Sequence, residues 1–250
     1  MPLKAVVSDW NGTLIAYPDE SPMLMRIATD IFKSCVPYRP LKMAEILRTR
    51  RILRNLHAEL DRDRQAVIRD MFRVYNERII RGTPMRVIHD SMDRFCRSPD
   101  TQAKLEMRLI RPIRRWRESG MMTGIVSAGY RHGIEKALGF AGYRDYFDFC
   151  QAEDIKHNDG HAVEFGLEIY KKKHIHLARL LEDRNMDPRH AAYVGDTDDD
   201  ESCFQVVGYP IVSFLAPGDV KERFARKYRA FVPESEEELD RYLEDKRAED

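Results

Sequence analysis

The stretch AVVSDWNGTLI, Ala5–Ile15, decides the fold. A small apolar run, Ala5-Val6-Val7, passes through Ser8 to Asp9, and turn chemistry follows at once in Asn11-Gly12-Thr13. A short apolar run without alternation suits a parallel strand covered on both faces. Reading Leu3–Ser8 as that strand puts Asp9 at its carboxyl end, where ligands bind in open α/β sheets. A carboxylate there suits a nucleophile or a metal ligand, and Gly12 with the following amides can form an anion-binding nest.

Beyond this strand the pattern turns helical. Apolar spacing predicts a helix over 22–36, stopped by Pro37, and one or two amphipathic helices over 41–80 with arginine on the outer face. Gly82-Thr83-Pro84 breaks the run and starts the next helix, and Ser98-Pro99-Asp100 starts another that extends to Ser119-Gly120. From Met121 strands and helices alternate. Strands are expected at Met121–Ser127, Tyr146–Cys150, Ala191–Val194 and Pro210–Phe214, with a hairpin over 151–165 around Asn158-Asp159-Gly160. The expectation is an α/β protein. Its core, residues 1–15 and 116–250, is a Rossmann-like doubly wound parallel sheet, and an all-helical block at 16–115 interrupts it. Insertion directly after the first strand predicts a lid over the strand ends.

Bulk properties exclude several classes. The 250 residues carry no net charge and are 43% hydrophobic and 34% charged, which fits a globular protein and gives no global pull toward nucleic acid or membrane. No apolar run approaches the roughly 18–20 residues of a membrane span. The four cysteines, Cys35, Cys96, Cys150 and Cys203, are scattered and form no CxxC pair, so free thiols in a reducing cytoplasm are expected. The eight histidines show no metal-binding spacing.

The strand ends collect the chemistry. The first carries Asp9 and Asn11, the second Ser127, and the 191–194 strand Gly195-Asp196 followed by Asp198, Asp199, Asp200 and Glu201. Lys171-Lys172-Lys173 opens the helix before that last strand. Carboxylates, a hydroxyl and an ammonium on one rim suit magnesium-assisted phosphoryl transfer. The carboxylate attacks, the cation offsets like-charge repulsion, and hydroxyl and ammonium hold the equatorial oxygens.

These residues also resemble a known family in four motifs and in order. Asp9-Trp10-Asn11-Gly12-Thr13, Ile125-Val126-Ser127, the Lys171–Lys173 cluster and Gly195-Asp196-Thr197-Asp198-Asp199-Asp200 resemble the haloacid dehalogenase superfamily, in its phosphoserine-phosphatase-like branch. The resemblance covers residues 1–15 and roughly 120–215. It implies that Asp9 is nucleophile and magnesium ligand, that Asn11 lends a backbone carbonyl to the metal, and that Asp196 is the second metal carboxylate. Asp200, with Asp199 as alternative, holds the metal's waters. Ser127 and Lys173 grip the phosphoryl group, with Thr13, Ala128 and Gly129 lining its site. Lys173 is preferred to Lys171 and Lys172 by its separation from Asp196, and Lys156 in the hairpin is a weaker choice. The block at 16–115 resembles the family's cap, with Arg39, Arg48, Arg50, Arg51 and Arg54 as candidates to face a phosphorylated substrate.

The departure is Asn11, where the family's phosphatases carry a second aspartate that protonates the leaving oxygen and activates water. An amide can do neither, and a missing general acid/base commonly lowers rates about 10²–10⁴-fold. Asp19 and Glu20 lie offset from where phosphoserine enzymes bind an amino group, which argues against phosphoserine as substrate. The resemblance therefore implies a magnesium-dependent phosphatase for a small phosphorylated metabolite, slow or specialised. The alternatives are a phosphate- and magnesium-binding regulatory protein without turnover, or a related phosphotransferase or phosphonate hydrolase. A role for the arginine-rich block on nucleic acid is weaker.

Overall fold

The computed structural model describes residues 2–35 and 64–248, together with residues 44, 48, 49, 51, 52 and 55. The chain forms two compact units: one of residues 1–20, 96–153 and 167–250, the other of residues 21–95 and 154–166.

The first unit is built on a five-stranded parallel sheet. Its strands are β1 (Ala5–Ser8), β2 (Met122–Tyr130), β3 (Phe149–Glu153), β6 (Ala191–Gly195) and β7 (Tyr209–Val212), in the order β3-β2-β1-β6-β7. The opening stretch thus lies at the sheet's centre, and Ala5, Val6, Val7 and Ser8 are all buried, as an unalternating apolar strand requires. Register aligns the strand ends: Ser8 sits opposite Ile125 of β2 and Val194 of β6. Asp9, Ser127 and Asp196 therefore emerge on one edge. Among the described residues, the helices α5 (Met107–Glu118), α6 (Arg131–Phe140), α7 (Lys173–Glu182), α9 (Gly218–Tyr228) and α10 (Glu236–Ala248) accompany the sheet, with the single turns α4 (Pro99–Gln102) and α8 (Glu201–Phe204). A core of Val7, Val126, Phe149, Leu177, Leu181, Tyr193, Phe204, Val212 and Phe224 fills one side of the sheet. This is the doubly wound fold the alternation predicts.

Two elements differ from expectation. The helix predicted from Ser98 to Ser119 is broken between α4 and α5. Leu105 makes a bridge to Ile15, flanked by hydrogen bonds from Ala16 N to Lys104 O (2.8 Å) and from Glu106 N to Leu14 O (2.9 Å). The backbone groups that a continuous helix would use internally are spent on the turn after β1, and Glu106 caps α5 by accepting from Arg108 N (3.1 Å). The third strand starts at Phe149, not Tyr146, because Arg144–Tyr146 winds into a 3₁₀ turn and the Asp148 carboxylate accepts from Thr123 N (2.8 Å).

The second unit contains α1 (Ser21–Cys35), α2 (Arg64–Tyr75), a π-helical turn over Asn76–Ile80, α3 (Met85–Arg97) and the hairpin β4 (Ile155–Asn158) with β5 (His161–Phe165). The described part of the insert is helical, as expected, but its boundaries are not 16–115. Residues 96–115 pack with the sheet, and the hairpin, expected in the core, packs with the helices. Asn76 explains the second point. Its side chain accepts from Phe165 N (2.9 Å) and donates to Phe165 O (3.4 Å), so a helical residue continues the edge of β5. Met85 N and Gly82 N donate to Gly160 O and Ala162 O, both at 2.8 Å. Of the arginines proposed to face substrate, Arg39, Arg50 and Arg54 lie outside the described residues, and Arg48 and Arg51 are exposed. No helix among the described residues is long and apolar enough to cross a membrane.

Candidate active site

Asp9 leaves the end of β1 with its backbone N–H donating to Val194 O (2.9 Å), which ties it to the end of β6. The chain then turns tightly: the N–H groups of Leu14 and Ile15 both donate to Trp10 O (2.9 and 3.1 Å). Gly12 makes the turn possible, with φ of 67°, and a Cβ there would lie 2.1 Å from Asp196 Oδ2. Glycine is therefore required both by backbone conformation and by the approach of the β6 loop.

Six of the predicted residues converge. Lys173, the first residue of α7, places Nζ 2.7 Å from Asp200 Oδ1 and 3.2 Å from Asp9 Oδ1, all three buried. Asp9, Asp196 and Asp200 offer oxygens within 4.8 Å of one another. The Ser127 hydroxyl hydrogen-bonds Asp9 and accepts from Gly129 N (3.0 Å). Thr13, fully buried, donates to Asp196 Oδ1 (3.2 Å). Ala128 and Gly129 lie within β2, which runs past Ser127 to Tyr130. Asp199 is half-buried, Lys171 and Lys172 are exposed, and Lys156 belongs to the other unit, paired with Glu164.

Asp200 does a job the sequence did not reveal. Its Oδ1 accepts from Lys173 and from Tyr193 OH (3.0 Å), and its Oδ2 accepts from Asp196 N (2.9 Å) and Thr197 N (3.3 Å). Fully buried and saturated by the chain, this carboxylate shapes the turn that presents Asp196 and anchors the lysine. Gly195 leaves it room, since a Cβ there would lie 2.5 Å from the Asp200 carboxyl carbon.

Electrostatics marks the cluster as unbalanced. Burial pushes Asp9 up to about 6, against the pull of Lys173. Burial, then the Asp200 and Asp9 charges, pushes Asp196 to about 8. Burial alone would lower Lys173, but Asp200 and Asp9 outweigh it and hold the ammonium above its ordinary range. One lysine faces three carboxylates, and Asp9 Oδ1 is buried without a hydrogen bond. An oxygen-rich, anionic, incompletely satisfied site fits a hard divalent cation such as magnesium.

Glu20, set aside as offset in the linear pattern, lies beside Asn11 in the structure. It is buried, and its Oε1 accepts from Asn11 Nδ2 (3.0 Å) and Tyr130 N (3.3 Å). Burial raises its carboxyl to about 7 despite those two donors. Nothing in the local pattern marks it; only the fold brings residue 20 to the end of β2.

The sheet order, with Asp9, Ser127, Lys173 and Asp196 on one edge, defines the class: the α/β fold of haloacid dehalogenase-like hydrolases. A sequence model of that family matches residues 6–205, and the chain belongs to it. No curated protein matches the chain by sequence. Among solved structures, a substrate-bound phosphoserine phosphatase is 16% identical, with a TM-score of 0.61 over 98% of both chains. A protein of unknown function from Bordetella pertussis Tohama I is 13% identical, with a TM-score of 0.65 over 93% of this chain and 98% of that one. Cytosolic 5'-nucleotidase IIIB bound to cytidine is 15% identical, with a TM-score of 0.60 over 97% and 84%. At these identities the likeness is one of fold.

Proposed function

We propose that the protein is a magnesium-dependent phosphatase for a small phosphorylated metabolite, working through an aspartyl-phosphate on Asp9. The carrying observation is the buried placement of Lys173 Nζ between Asp9 and Asp200 at 3.2 and 2.7 Å. In this reading Asp9 attacks phosphorus, and Ser127 and Lys173 hold the equatorial oxygens. Asp9, Asp196 and the Asn11 backbone carbonyl hold magnesium, which when bound offsets the repulsion between carboxylate and phosphate. Asp200 was expected to hold the metal's waters. Its saturation by chain donors favours Asp199 for that role and gives Asp200 the task of fixing Lys173 and Asp196. Thr13 acts by orienting Asp196, and the unit of residues 21–95 and 154–166 is the cap.

Asn11 supports a specialised activity. Its amide is held by Glu20 and can neither give nor take a proton, so a substrate whose leaving oxygen needs little protonation, such as an acyl phosphate, suits the site best. The test is release of inorganic phosphate from p-nitrophenyl phosphate and acetyl phosphate, with magnesium and with EDTA. Activity that requires magnesium and vanishes in Asp9→Asn supports the reading; turnover unchanged by that substitution removes Asp9 from its role.

A further inference from the structure

Glu153 closes β3 and is 3% exposed. A carboxylate so deep in a protein needs donors. It finds three in succession: Oε2 accepts from Glu168 N (3.0 Å), and Oε1 accepts from Ile169 N (2.6 Å) and Tyr170 N (3.1 Å). Nothing in the proposed chemistry uses this residue, and no sequence motif contains it. The clasp stands where the chain leaves the sheet unit, after Glu153, and re-enters it at Leu167.

The clasped segment leads straight to the lysine. Ile169 O accepts from Lys172 N (2.8 Å), closing a turn in which Lys171 takes a φ of 66°. A lysine in the left-handed region is held there by its surroundings. Lys172 O then accepts from Ile175 N (2.9 Å) and His176 N (3.1 Å), which starts α7. Lys173 is that helix's first residue, and its direction into the site is set by how the turn delivers the helix.

We propose that Glu153 is a positioning residue for Lys173. Its clasp on residues 168–170 fixes the turn that launches α7, and so fixes the ammonium between Asp9 and Asp200. The kinetic arm of the test rests on the role proposed for Lys173; the labelling arm does not. Glu153→Gln keeps the size but turns one acceptor into an NH₂ group facing a backbone N–H. In the folded variant, kcat/KM for p-nitrophenyl phosphate falls about 10- to 100-fold, the range for a misplaced catalytic group. In a Lys173→Arg background the same substitution lowers it by less than about threefold, because the two act as a unit. Independently, acylation of Lys173 followed by mass spectrometry speeds up about tenfold or more as local opening becomes easier, while exposed Lys104 labels unchanged. Glu153→Asp retains the charge with a shorter reach, gives intermediate values, and carries the same cycle if the glutamine variant does not fold. Equal losses in both backgrounds, or unchanged Lys173 labelling, overturn the proposal. Failure of both variants to fold also overturns it, in favour of a purely structural role. If the parent protein releases no phosphate from any ester, the phosphatase reading fails, and the labelling decides the positioning role alone.

Discussion

Replacing Lys173 by methionine tests the electrostatics of the site directly. The side chain is 6% exposed and neutralises part of a cluster in which Asp9 and Asp200 lie 3.2 and 2.7 Å away. Methionine fills most of the volume, so the packing loss is small. What remains is a buried set of carboxylates without a counter-charge, and breaking such a pair destabilises by about 3–5 kcal/mol. At about 2–4 °C per kcal/mol for a chain of this size, the melting temperature should fall by roughly 6–20 °C. The pH dependence gives the sign. The folded pKa of Lys173 is raised, so its stabilisation is fully present below the ordinary value of 10.5 and is lost only as pH rises through the folded value. Asp9 and Asp196 have folded pKa values raised to about 6 and about 8, so ionising them opposes folding, and that penalty is relieved as pH falls through those values. The variant's deficit is therefore largest at pH 8 and above and shrinks in mild acid. Thermal melts in EDTA, followed by near-ultraviolet circular dichroism, read this out. A melting temperature within about 2 °C of the parent protein at alkaline pH, or a deficit that ignores pH, refutes the reasoning.

Two further substitutions probe the loop after β1. Gly12→Ala combines a left-handed backbone, worth about 1–2 kcal/mol for a residue with a Cβ, with a Cβ 2.1 Å from Asp196 Oδ2. Magnesium affinity by titration calorimetry should weaken along with stability, and unchanged binding would show that Asp196 does not need its present position. Asn11→Asp places a second acid in the loop after β1, 3.0 Å from the Glu20 oxygen the amide now contacts, so the two carboxyls share a proton and titrate at raised apparent values. Turnover of ordinary phosphomonoesters should rise, by up to about 10²-fold, with an optimum displaced toward the pH where one proton remains on the pair. A flat or lower rate sinks the missing-acid argument.

Much of the arrangement was legible in the linear chain because it rests on local rules. Ala5–Ser8 and Ala191–Gly195 are short, unalternating apolar runs, and both are buried parallel strands. Asp9, Ser127 and Asp196 stand at strand ends that register aligns, while Lys173 is singled out from its neighbours by the spacing that the family resemblance implies, and α7 delivers it to the same place. Local rules failed where a distant partner competes for backbone groups. Leu105 leaves a helix to meet Ile15, and the hairpin at 155–165 joins the helical unit because Asn76 offers it an amide.

The sequence by itself determined the fold class, the opening strand and the acidic and basic groups at the strand ends, because periodicity and turn chemistry act over a few residues. Only the tertiary structure decided what those groups do to one another. The pairing of Asp200 with Lys173, the contact of Glu20 with Tyr130 N and the clasp of Glu153 on residues 168–170 each join different elements of the fold. Hydrogen bonding and desolvation depend on the distance between atoms in space, and spacing along a chain does not specify it.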